Sequence, residues 1–320
     1  MTIKELADFL REHDDYLILT HRRPDGDTIG SGAALCAMLR KMGKKAGLLK
    51  NAEVTEQYKH YAEPYWAAEE MLFQTIVSVD LAALSLFPDN AVPFQDRVDL
   101  AIDHHPSYEG FARQSCVQPE CAACGEILCD LAQELDLLTP EVALPLYVAV
   151  STDTGCFVYS NVTAKTHRVA ASLMETGIDY RLVNKRHFRT KSRKRLALEA
   201  RLLSEMEFFD ENRVVVIGLP LTLVEELHLS EADMDDISSL GGLVEGTDCS
   251  ITMKETKDGD WKISLRTGER VNATAACARL GGGGHRAASG CIIRGVSRET
   301  AKKRIVQAVL DTVKEDTSDA

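Results

Sequence analysis

Residues 16–30, YLILTHRRPDGDTIG, set the architecture of the N-terminal half. Tyr16 to Thr20 is a short run without polar–apolar alternation, the pattern of a strand buried on both faces. A helical pattern runs from Thr28 to Met42, and the polar turn between the two holds His21, Asp25 and Asp27. Outward from here the strand signature returns at 46–50 (AGLLK), 75–79 (TIVSV) and 98–102 (VDLAI). Helices are expected near Glu126–Leu137 and Pro140–Val150. Strands alternating with helical patterns predict βαβ units and a mainly parallel sheet. The fold class expected is α/β, with a first domain over residues 1–185.

Beyond that point the composition changes. Arg181 to Arg195 (RLVNKRHFRTKSRKR) carries eight Lys/Arg, one His and no acid. It reads equally as a solvated linker or as a surface that attracts a short polyanion. Its one aromatic, Phe188, is too little for a stacking platform. A helical linker is expected over 186–210, followed by a smaller α/β domain over 211–320. That domain shows strand signals at Val214–Ile217, Ser250–Met253 and Trp261–Leu265, and helical ones at Val271–Leu280 and Arg298–Val313. The tail EDTSDA (315–320) is expected to fray.

The whole chain has 320 residues, 45% hydrophobic and 27% charged, which fits a full globular core and excludes long disorder. Its net charge of −12 excludes a generic polyanion binder, so any nucleic-acid contact must be local. No apolar run approaches the ~20 residues of a membrane span. The opening MTIKELADFLREHDDY is charged and amphipathic, without the apolar region of a signal peptide. Nine cysteines, an odd number, point to reduced thiols and a cytoplasmic setting. Cys121 and Cys124 have the spacing of half a zinc site, but no second CxxC or HxxxH completes it.

The informative feature is where acids and histidines fall. His21, Asp25 and Asp27 follow the first strand, Asp80 the third, and Asp103, His104 and His105 the fourth. Asp153 ends a long apolar helix, in STDTG. The carboxyl ends of parallel strands share one edge, and ligands bind in the crevice there. A lone Asp after a strand is usually a turn or helix-cap residue. Several carboxylates at one rim, however, repel one another unless a cation neutralises them. Carboxylate mixed with imidazole and no thiolate suits a pair of divalent ions of the Mn, Fe, Co or Zn type sharing a carboxylate.

HRRPDGD, Asp80 after a strand, AIDHHP and STDTG together resemble the four motifs of the DHH phosphoesterase superfamily. GGGGHRAASG at 281–290 resembles the glycine-rich signature of the DHH-associated C-terminal domain. The resemblance implies two divalent metal ions, manganese first. His21 and Asp25 would hold one; Asp27, His104 and Asp153 the other; Asp80 would bridge. Asp103 would orient an imidazole ligand through its free N–H, and His105 would face the substrate phosphate. The active site would lie in the interdomain cleft, where a metal-activated water attacks phosphorus. In the second domain, Gly282, Gly283 and Gly284 would bring main-chain N–H groups close to a phosphate. His285 and Arg286 would add polar contacts, and Arg266 would grip a phosphate through its fork.

The superfamily includes RecJ-like nucleases, family II pyrophosphatases and nanoRNase/pAp-phosphatases. Absence of an oligonucleotide-binding third domain and of sensor segments makes the chain most similar to nanoRNase/pAp-phosphatases and soluble pApA or cyclic-di-AMP phosphodiesterases. The implied partners are short RNA oligonucleotides or dinucleotides, not membranes or long duplexes, with dimerisation through the first domain. The alternatives are a family II-like pyrophosphatase, against which the GGGH pattern counts, and a non-catalytic nucleotide-binding regulator.

Overall fold

Strand β1 (Tyr16–Leu19) is buried at every position, because side chains on both of its faces meet apolar layers. Tyr16 and Ile18 face one cluster and Leu17 and Leu19 the other, which explains the unbroken apolar run. In the computed structural model, which describes residues 1–68, 70–234 and 236–318, the chain forms two compact units, Met1–Thr190 and Lys191–Ala320.

The first unit runs α1 (Ile3–Glu12), β1, α2 (Gly26–Lys41), β2 (Ala46–Leu48), α3 (Glu56–Ala62), β3 (Thr75–Val79), β4 (Leu100–Asp103) and β5 (Gln114–Val117). It continues with α4 (Cys124–Glu134), α5 (Pro140–Asp153), α6 (Ala164–Glu175) and α7 (Tyr180–Asn184), then a π-helical turn at Lys185–Arg189. The five strands are all parallel, in the order β2-β1-β3-β4-β5. Strand order reverses between β1 and β3, the switch point at which such sheets open a crevice at their carboxyl edge. Helix α2 is buried from Gly26 through Leu39 and lies against α5. A Cβ on Gly30 would stand only 2.3 Å from the Pro145 carbonyl oxygen, so the two helices approach backbone to backbone.

The second unit runs α8 (Arg193–Ser204), β6 (Glu207–Phe209), β7 (Val214–Leu219), α9 (Leu221–Glu226), β8 (Cys249–Glu255), β9 (Trp261–Thr267), α10 (Ala273–Ala278), β10 (Gly283–His285), β11 (Ala288–Ile293) and α11 (Arg298–Ser318). Its sheet order is β10-β11-β9-β8-β7-β6, with only the β7–β8 pair parallel. One face, including Val214, Ile251 and Ile263, packs on Ala273, Ala301 and Ile305 of α10 and α11. The other, with Val215 and Ile217, packs on Leu198 and Leu202 of α8. Helix α8 is therefore part of this unit's core, and the expected linker 186–210 is divided between the two units. Of the tail expected to fray, residues up to Ser318 continue α11; Asp319 and Ala320 lie outside the described residues.

Candidate metal centre

The carboxyl ends of β1, β3 and β4 deliver the predicted acids and histidines together. Asp25 caps α2, accepting from the N–H groups of Asp27 and Thr28 at 3.0 and 3.2 Å, so the ordinary helix-cap role is also filled. Its Oδ1 lies 3.6 Å from His21 Nε2, which lies 3.6 Å from Asp80 Oδ2. On the other side His104 Nε2 is 3.5 Å from Asp80 Oδ1, 3.5 Å from Asp153 Oδ2 and 3.8 Å from Asp27 Oδ2. Two triads, His21/Asp25/Asp80 and Asp27/His104/Asp153, each bring three ligand atoms within 4.8 Å of one another, and Asp80/His104/His105 form a third.

Asp80 connects them. It follows β3 with φ 51°, a left-handed conformation that Asp tolerates better than most residues. Its N–H donates to the Ile102 carbonyl at 2.9 Å, which fixes the turn to β4. Its Oδ1 is buried without a hydrogen-bond partner. Such an orphaned carboxylate oxygen is costly unless something positive meets it.

Asp27 is buried and held by the main-chain N–H groups of Cys124 (2.6 Å) and Gly125 (3.0 Å) at the start of α4, and by Ser31 Oγ (3.0 Å). Burial, then repulsion from Asp80, Asp153 and Asp25, pushes its carboxyl well above the usual range. Burial and Asp80 push Asp153 up to about 6. Burial opposes a charge on His21, yet Asp25 and Asp80 hold its pKa up to about 11. A cluster that raises acids and captures a proton on imidazole demands positive charge, and the donor set fits divalent cations.

The imidazoles are oriented as such ligands require. His21 Nδ1 donates to the Arg22 carbonyl at 2.7 Å and His104 Nδ1 to the Cys121 carbonyl at 3.1 Å. A carbonyl only accepts, so each Nδ1 carries a proton, and it is Nε2 that faces the acids and whose lone pair would be free for a cation once its own proton is displaced. Here the structure departs from expectation. The imidazole oriented by Asp103 is that of His105, whose Nδ1 lies 2.7 Å from Asp103 Oδ1 and whose N–H donates to the same oxygen at 2.9 Å. The Cys121 carbonyl does that work for His104. It and the Cys124 and Gly125 amides were not foreseen, because main-chain groups leave no letter in the sequence; nor was the Ser31 hydroxyl, one turn along α2 from Asp27.

In the second unit, Gly282 needs to be glycine: a Cβ there would stand 2.2 Å from the Gly290 carbonyl oxygen. Gly283 has open space where a Cβ would stand, and it, Gly284 and His285 form the exposed strand β10. Arg266 ends the exposed row of β9, opposite Ala288 of β11. Arg286 reaches the Glu269 carbonyl at 3.4 Å. In the basic stretch, Lys191 and Arg195 pair with Glu199, Lys194 donates to the His228 carbonyl, and Arg186 meets His60.

Fold and ligand clusters together describe an α/β unit with a candidate divalent-metal centre at the carboxyl edge of its sheet. Family models for the DHH family N-terminal domain and the DHHA1 domain match residues 15–150 and 229–315. The chain is 33% identical, over 91% of its length and 88% of the relative's, to the bifunctional oligoribonuclease and PAP phosphatase NrnA of Thermus thermophilus. It is 24% identical to the cyclic-di-AMP phosphodiesterase GdpP of Geobacillus thermodenitrificans, over 96% of this chain and 49% of that one. A solved exopolyphosphatase-related protein from Bacteroides fragilis shares the fold, with a TM-score of 0.84 at 24% identity, covering 97% of this chain and 95% of that one. The chain belongs to the DHH family of phosphoesterases.

Proposed function

We propose that the protein hydrolyses very short oligoribonucleotides, pApA-type dinucleotides first, to mononucleotides, and removes the 3′-phosphate of pAp at the same centre. The observation that supports this best is Asp80, whose Oδ2 lies 3.6 Å from His21 Nε2 and whose Oδ1 lies 3.5 Å from His104 Nε2. Likeness to an oligoribonuclease and PAP phosphatase supports the substrate class. His21, Asp25 and Asp80 would hold one divalent ion, and Asp27, His104, Asp153 and Asp80 a second, manganese being the first choice for carboxylate with imidazole. Such ions supply Lewis-acid charge at phosphorus and lower the pKa of water. The protein's own groups do the rest. Asp103 takes the Nδ1 proton of His105 as a hydrogen bond, leaving Nε2 to meet a phosphoryl oxygen. The α4 amides hold Asp27 and the main-chain carbonyls hold His21 and His104, so the ligands need no rearrangement. Arg266, Gly282, Gly283, Gly284, His285 and Arg286 are assigned to the substrate; open space over Gly283, which packing does not require to be glycine, favours this.

The test is hydrolysis of pApA, pAp, cyclic-di-AMP, a 24-nucleotide RNA and pyrophosphate, each with Mn²⁺ and with EDTA. Fast, chelator-sensitive AMP release from pApA with slow action on the long RNA is expected. Preference for cyclic-di-AMP would favour the GdpP-like reading, and phosphate from pyrophosphate alone would replace the proposal.

Asp103→Asn gives a further expectation. The Asp103 hydrogen bond, against burial, holds His105 up to about 8, so a reaction using the protonated ring declines as pH rises through that value. Without the carboxylate the pKa falls, and the decline moves to lower pH. Turnover should drop roughly 10–100-fold, as when an orienting partner is lost. A pH–rate profile of unchanged shape would remove the His105 proton from the reaction.

A further inference from the structure

Helix α5 ends at Asp153, and the chain beyond it turns back through strained backbone. Gly155, Cys156 and Phe157 stand in succession at φ 56°, 57° and 68°, the left-handed region that residues with a Cβ avoid. The helix end itself holds the turn. Cys156 N–H donates to the Ser151 carbonyl at 2.7 Å, those of Val158 and Tyr159 to the Thr154 carbonyl at 2.9 and 3.1 Å, and that of Phe157 to Thr154 Oγ1 at 3.2 Å. Strain of this kind persists only where the surroundings over-determine it, and it gathers at functional sites. What the turn delivers is Asn161. Its Nδ2 donates one hydrogen bond to the Asp153 carbonyl and another to the Ala122 carbonyl, both at 3.0 Å. Both partners only accept, so the nitrogen of the amide, not its oxygen, must face them.

A bond to Asp153 alone would merely satisfy one of the last carbonyls of a helix. The bond to Ala122 makes it a bridge. Ala122 lies inside the segment whose Cys121 carbonyl accepts from His104 Nδ1 and whose Cys124 and Gly125 amides hold Asp27. One side-chain amide thus joins the main chain that carries Asp153 to the main chain that aims His104 and seats Asp27. His21 and Asp25 are fixed from elsewhere, by the Arg22 carbonyl and the start of α2. We propose that Asn161 is a positioning residue for the Asp27/His104/Asp153 triad: it sets the separation of these three ligands, and so the affinity for the divalent ion they would hold, while leaving the His21/Asp25/Asp80 triad alone. Asn161 is itself exposed, so water can take its place on the carbonyls when it is removed. Folding then loses little, whereas the spacing of the ligands is no longer fixed.

This role rests on the reading of the acids and histidines as a two-ion centre. The test titrates the intact protein and Asn161→Ala with Mn²⁺, the free ion being followed by electron paramagnetic resonance. Melting of the metal-free proteins and hydrolysis of pApA are measured beside it. The parent protein is expected to bind two ions. In Asn161→Ala one should be weakened about 10–100-fold, as when the partner that orients a ligand is lost, and the other should keep its affinity. The melting temperature without metal should drop by about 4 °C at most, the effect of losing exposed hydrogen bonds. At limiting Mn²⁺ the kcat for pApA should fall with KM for pApA unchanged, and excess Mn²⁺ should restore it. Asn184→Ala is the comparison, because the Asn184 amide donates to Tyr147 Oη at 3.1 Å, in the middle of α5; it should lose stability and keep both affinities. Unchanged affinities in Asn161→Ala, equal weakening of both ions, or the same loss in Asn184→Ala would overturn the role. A parent protein that binds fewer than two ions would refute the centre itself, and this role with it.

Discussion

Asp80→Ala should abolish hydrolysis, lowering kcat by at least about 10³-fold, and should sharply weaken divalent-metal binding. The substitution removes at once the oxygen beside His21 and the oxygen beside His104, whereas loss of a single charge-stabilising donor already costs about 10²–10³ in rate. Calorimetric titration with Mn²⁺ checks the binding, and single-turnover hydrolysis of pApA checks the rate. Folding need not suffer in proportion. Removing one charge from a crowded cluster relieves repulsion on Asp27 and Asp153, which offsets the roughly 1–2 kcal/mol that a left-handed alanine costs. Asp80→Asn, which suits the left-handed turn and keeps the shape, separates the two effects: it should fold as well as the parent and stay inactive. A near-parental rate for either variant with Mn²⁺ would take Asp80 out of the centre.

Gly30→Ala should damage the N-terminal unit although residue 30 is not among the proposed ligands. Its Cβ would sit 2.3 Å from the Pro145 carbonyl oxygen and 2.9 Å from the Ala149 nitrogen. Both obstacles are main chain, so no side chain can swing aside. Overpacking of this kind costs about 1–3 kcal/mol. At about 2–4 °C per kcal/mol for a unit of this size, the melting temperature should fall by several degrees, up to about 12 °C. The specific expectation is that metal affinity falls too, because α2 carries Asp27 near its start and α5 carries Asp153 at its end. Gly43→Ala, which meets open space but sits at φ 78°, is the comparison: it should lose stability through backbone strain and keep its metal affinity. Unchanged metal binding in a destabilised Gly30→Ala would show that the helix contact does not set the spacing of the two acids.

Much of this was legible in the sequence, for identifiable reasons. A central parallel strand must be apolar on both faces, so YLIL and TIVSV stood out, and the acids directly after them fell at the carboxyl edge. Strand β5 did not stand out. It is an edge strand of four residues in which only Cys116 is fully buried, so burial writes almost nothing into its composition. Helix α8 looked like a linker because its surface is basic; its allegiance depends on Leu198 and Leu202 alone among its fully buried apolar side chains. In the site, the acids and histidines that gather at the rim were readable, but the partner of each ring was not. Which atom lies behind His104 is decided by the path of the loop at Cys121, and no residue type records that.

Those rings carry a consequence for how the centre endures sequence change. His21 and His104 are both aimed by carbonyl oxygens of the peptide chain, at Arg22 and Cys121, and Asp27 is seated on peptide amides at Cys124 and Gly125. Peptide carbonyls persist whatever residue is written at those positions, and peptide amides persist in every residue but proline. The aim of the two imidazoles is thus insulated from substitution in the very residues that provide it, and mutational drift at positions 22 and 121 can proceed without disturbing them so long as the loops keep their course. His105, aimed by the side chain of Asp103, lacks that insurance.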